Sequence, residues 1–72
     1  MQEMIEVACS NTEQSLQSVA LFSLGNMASF PDMIAEMQAG DCELRVQPMK
    51  ESPYPDVRRN CERLLNKIGA RR

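Results

Sequence analysis

Residues 15 to 29, SLQSVALFSLGNMAS, put apolar side chains on nearly every side of one helix before the chain reaches Gly-Asn. The main stripe runs Leu16, Val19, Ala20, Leu24 and Met27, spaced i, i+3, i+4, i+8 and i+11, and Leu21 and Phe22 add a second apolar edge. Such a helix must be buried. A small two-layer domain rarely needs two apolar faces on one helix. A helix stacked inside a repeat array does, because it packs within its own repeat and against its neighbours.

The rest of the chain reads as helices without a convincing strand. Met1, Met4, Ile5, Ala8 and Cys9 keep a helical stripe until Ser10-Asn11-Thr12 supplies turn and cap chemistry. The central helix should start near Thr12 and run to about Ala28, where Phe30-Pro31-Asp32 breaks it. Met33, Ile34 and Met37 then form the edge of a short helix that closes at Ala39-Gly40, with Gly40 as the left-handed stop. Cys42, Val46 and Met49 fit another helical stripe, but Pro48 lacks a backbone donor, so this helix should kink or break there. Ser52-Pro53-Tyr54-Pro55 is a stiff linker. The last helix is cleanly amphipathic, with a stripe of Val57, Cys61, Leu64, Leu65 and Ile68 and charges elsewhere.

Chemistry finds little purchase in these residues. The chain has no His, which removes Ser-His and Cys-His nucleophile pairs, and its three Gly are isolated, so no phosphate-cradling loop is present. Cys9, Cys42 and Cys61 stand 33 and 19 residues apart without a C-x-x-C pair. They make neither a zinc site nor a disulfide framework and read as reduced core thiols of a cytoplasmic or nuclear protein. Acid pairs such as Asp41 with Glu43 and Glu3 with Glu6 read as decoration of solvated faces. No cofactor, metal or catalytic residue is expected. No apolar run approaches the length of a membrane span, and no signal-peptide pattern opens the chain.

Charge is divided unevenly. Residues 1 to 52 carry eight acids against Arg45 and Lys50, whereas residues 53 to 72 carry six bases against Asp56 and Glu62, so −6 faces +4. The basic residues Arg58, Arg59, Arg63, Lys67, Arg71 and Arg72 can form a patch for nucleic acid or an acidic partner. With no aromatic interleaved for base stacking, a solvated helix face is the favoured reading and nucleic acid the weaker one.

The string from Ser18 to Ala28, SVALFSLGNMA, followed by IAEMQAG to Gly40 and by DVRRNCERLLNKI to Ile68, resembles armadillo repeats, and HEAT repeats share much of the pattern. The resemblance covers nearly the whole chain. It implies an all-α, right-handed α-solenoid fragment of about one and a half to two repeats: residues 1–29 would end one repeat, and residues 31–69 would form the next. In that family the third helix of each repeat lines a groove that holds extended peptides, and a signature Asn bonds the peptide backbone. Asn26 matches that Asn, and Phe22 lies on the same helical face. Arg63 and Lys67 stand at the corresponding positions of the second copy, where the family pattern is lost. Arg45 and Pro48 likewise replace the usual Leu positions of the middle helix.

What the resemblance implies is a non-catalytic protein-interaction scaffold that binds or docks a protein or peptide through Phe22, Asn26, Arg63 and Lys67. A polar outer side on residues 55–72 would suit the capping repeat of an array. The alternatives are a small nucleic-acid-binding module using the last helix, and a dimerisation or intramolecular docking segment. Since about three repeats are needed for independent stability, the chain should belong to a longer array or self-associate through the side of residues 1–29.

Overall fold

A computed structural model of the chain describes residues 2–9 and 13–70. The expected caps at Ser10-Asn11-Thr12, the start of the first stripe at Met1, and Arg71 and Arg72 of the basic patch lie outside the described residues. The architecture is all-α: α1 spans Gln2–Cys9, α2 Gln14–Met27, α3 Pro31–Ala39, α4 Cys42–Val46, and α5 Pro55–Ala70, with a 3-10 segment over Gln47–Glu51. No strand occurs among the described residues.

Each break has a local cause. Pro31 occupies the first turn of α3, where its missing donor costs nothing, and Phe30 accepts the first backbone bonds from Met33 and Ile34 at 3.0 and 3.1 Å. The left-handed residue after α3 is Asp41, at φ 56° and ψ 36°, and not Gly40, whose φ is −94°. The corner is shifted by one residue because Asp41 also opens α4, its carbonyl accepting from the Arg45 amide at 2.9 Å. At Pro48 the chain leaves α geometry for the 3-10 segment. Pro48 has no N–H to give to the preceding turn, and two carbonyls of that turn accept from thiols instead: Cys9 Sγ bonds Arg45 O at 3.2 Å, and Cys61 Sγ bonds Val46 O at 3.1 Å.

The core gathers Ile5 and Ala8 of α1, Leu21 and Leu24 of α2, Met37 of α3, Cys42 and Val46 of α4, and Val57, Cys61, Leu64 and Ile68 of α5. The stripe expected on α5 and the edge expected on α3 are buried, except that Leu65 and Met33 are only partly so. On α2 the buried face is rotated from the expected stripe. Gln17, Ala20, Leu21, Leu24 and Gly25 are buried, whereas Leu16, Val19 and Phe22 are 53, 62 and 48% exposed. The helix is apolar all round, but only one side of it is covered.

The helices pack in a definite order. α2 lies against α5 and α1, and α4 touches α1, α3 and α5. Hydrogen bonds between α2 and α5 join Gln14 to Asp56, Ser18 to Asn60, and Asn26 to Arg63, and just past α2 Ser29 meets Lys67. Residue numbers rise together on both helices, so α2 and α5 run parallel, side by side. Their separation in sequence is 42 residues at the first two pairs and 38 at the last.

Candidate functional site

The four residues singled out for partner binding, Phe22, Asn26, Arg63 and Lys67, come together on the α2/α5 seam. Phe22 and Asn26 are one helical turn apart on the exposed side of α2, and Arg63 reaches across from α5. Its Nη2 donates to Asn26 Oδ1 at 2.7 Å, its Nη1 to the Phe22 carbonyl at 3.4 Å, and its Cζ lies 5.0 Å from the centroid of the Phe22 ring. Lys67 Nζ donates to Ser29 Oγ at 3.0 Å, so it flanks the cluster without touching Asn26.

Close approach here depends on Gly25. A Cβ at this position would stand 2.5 Å from Arg63 Nη1 and 3.4 Å from its Cζ, so the missing side chain leaves the path by which the guanidinium lies across α2. The seam continues upward from there. Asn60 Nδ2 donates to the carbonyl and hydroxyl oxygens of Ser18 at 3.1 and 3.0 Å, and Gln14 Nε2 donates to Asp56 Oδ1 at 2.8 Å. The Gln14 bond is the main reason that the Asp56 carboxyl is held below its ordinary range. These upper rungs escape a reading based on apolar stripes. Pairing each polar residue of α2 with the one about 42 positions later would have found them.

The expected basic patch is not a single free surface. Arg58 Nη1 donates to the Ser52 carbonyl at 2.7 Å, Arg63 and Lys67 are engaged on the seam, and Arg59 is exposed. Each of these cations except Arg59 is tied to a named acceptor.

The cysteines lie where the sequence places them, in the interior. Cys42 and Cys61 are buried and Cys9 partly so, all three as free thiols. Burial pushes Cys42 and Cys61 up to about 11 from an ordinary 9.0 and also raises Cys9. Such thiols are poor nucleophiles. Among the described residues no group of His, Cys, Asp or Glu is arranged to hold a metal ion, and no helix is long and apolar enough to cross a membrane.

A second surface opens on the side of α2 toward α1. Between α1 and α2 runs a groove of about 390 Å³, lined by Met4, Val7, Leu16, Val19, Ala20 and Ser23, with Glu3 at its edge. It is mostly apolar and faces solvent. No family model matches the chain, and neither the curated proteins nor the solved structures yield a match to it.

Proposed function

We propose that this chain is a non-catalytic protein-interaction module, the end segment of a right-handed, armadillo-like α-solenoid. The observation that carries the reading is the parallel packing of α2 on α5 with a sequence offset close to the length of one repeat. The α1–α4 contact adds to it, because α1 precedes α2 as α4 precedes α5, so both helices of one unit meet their counterparts in the next. An antiparallel bundle would pair early residues of one helix with late residues of the other. The seam that faces outward presents Phe22, Asn26, Arg63 and Lys67. Arg63 holds the acceptor of Asn26, and a carboxamide has two donor hydrogens besides it for a peptide carbonyl.

The test is selection of extended peptides from a displayed library on the folded chain, followed by mapping of the bound peptide through amide chemical shifts. The reading expects shifts centred on Phe22, Asn26 and Arg63, and affinity lowered at least tenfold by Asn26→Ala. Failure to enrich any peptide would overturn it. So would tight binding of single-stranded nucleic acid that weakens steeply with salt and is lost on reversing Arg58, Arg59 and Arg63.

A further inference from the structure

We propose that the groove between α1 and α2 is a docking site for an amphipathic helix of another protein, one with an apolar stripe and Lys or Arg along its flanks. This deepens the reading of the chain as a binding module, yet it uses the side of α2 toward α1, and none of Phe22, Asn26, Arg63 and Lys67 lines the groove.

The first line of support is the internal correspondence of α2 and α5. Val57, Cys61, Leu64 and Ile68 are the buried residues of α5. The positions 41 residues earlier, the offset of the Phe22–Arg63 pair, are Leu16, Ala20, Ser23 and Met27. Three of these line the groove, and Leu16 is 53% exposed. Where α5 buries Val57, α2 leaves its counterpart Leu16 open, while Ala20 is buried and Ser23 and Met27 are half-buried, so this row of α2 is only partly covered.

Charge selects the occupant. No Lys or Arg occurs in residues 1–44, and Glu3, Glu6 and Glu13 are exposed on or beside α1 and α2. The groove is apolar along its floor and acidic around it, the complement of a basic amphipathic helix held by apolar anchors at i, i+3, i+4 and i+7. A second copy of this chain fits poorly. Two α1/α2 faces would bring only acids together, and the outer positions of α5 that correspond to Gln17, Leu21 and Gly25 are Arg58, Glu62 and Asn66, which offer no apolar row to the groove.

The experiment uses the full chain and three fluorescent peptides of about 18 residues, long enough to span the groove. One has a Leu/Ala stripe with Lys and Arg elsewhere, one the same stripe with Glu elsewhere, and one the basic composition scrambled. Anisotropy should show saturable binding of the basic helix, at least tenfold tighter than the other two, and Leu16→Asp with Val19→Asp should weaken it at least tenfold. Both replaced side chains are solvent-exposed, so the double variant should keep its helical circular dichroism. Glu3→Lys with Glu6→Lys should reverse the preference toward the acidic helix, and it decides the matter if the first variant unfolds. Equal binding of basic and acidic helices, or binding indifferent to both double variants, would overturn the proposal. A dimer seen by sedimentation that Leu16→Asp and Val19→Asp dissociate would overturn it in favour of a second copy.

Discussion

Arg63 lies across the ring of Phe22, its Cζ 5.0 Å from the ring centroid, while the same guanidinium bonds the side chain of Asn26 at 2.7 Å. One long cation thus joins two parallel helices 41 residues apart at the point where a glycine lets it through.

Removing that cation should loosen the seam without emptying the core. Arg63→Ala is expected to lower stability by about 1 kcal/mol, and a double-mutant cycle with Phe22→Leu should give a coupling of about 0.5–1 kcal/mol. Gly25→Ala should abolish the coupling, because its Cβ takes the space of Nη1 and the flexible Arg63 side chain swings away. Its own stability should change little, since the gain of about 1 kcal/mol in helix propensity offsets the lost contacts. Urea denaturation of the variants reads both effects.

The rotation of α2 makes a contrast between two leucines eight positions apart. Leu24 is fully buried and Leu16 is 53% exposed. Leu24→Ala should cost about 2–5 kcal/mol, a large part of the stability of a chain this small, whereas Leu16→Ala should cost less than about 1 kcal/mol. Thermal melts followed by circular dichroism distinguish them, and similar losses at the two sites would contradict the packing described here.

Asp41 holds the left-handed corner between α3 and α4. A β-branched residue tolerates that backbone poorly, so Asp41→Val should destabilise by about 1–2 kcal/mol, while Asp41→Gly should be neutral or stabilising by up to about 1 kcal/mol. The order of melting temperatures, Gly at or above Asp and Val below both, is the outcome to check.

The buried thiols predict an alkaline limb of stability. Unfolded cysteines lose their protons near 9.0, but burial keeps Cys42 and Cys61 protonated up to about 11. Their contribution is complete below pH 9 and is lost as pH rises from there through about 11. Denaturation midpoints measured from pH 8 upward should fall in this window, and Cys42→Ala with Cys61→Ala should start lower at pH 8 but fall less steeply. Parallel slopes would show that other groups carry the alkaline loss.

The sequence was most legible where one physical cause acted alone. The stripe of α5, the stop at Phe30-Pro31 and the loss of α geometry at Pro48 follow from apolar period and proline chemistry, and the structure has each in place. The face of α2 was not legible, because a helix apolar all round gives no direction and only the positions of α1 and α5 decide that Leu21 and Leu24 point inward while Leu16 and Val19 do not. Gly40 misled for a related reason: the glycine marks the corner, but the opening of α4 moves the left-handed residue to Asp41. Phe22, Asn26, Arg63 and Lys67 were found by comparing two copies of one pattern. The bond from Arg63 to Asn26 was not, since an arginine in place of an aromatic reads first as a solvated charge.

The central claim is that α2 and α5 are parallel neighbours with a repeat-like offset, and side-chain NOEs on isotope-labelled protein test it most directly. Contacts should connect Gln14 with Asp56, Ser18 with Asn60, Phe22 with Arg63, and Ser29 with Lys67. Contacts from Gln14 to Lys67 and from Ser29 to Asp56 would make the pair antiparallel and contradict the account.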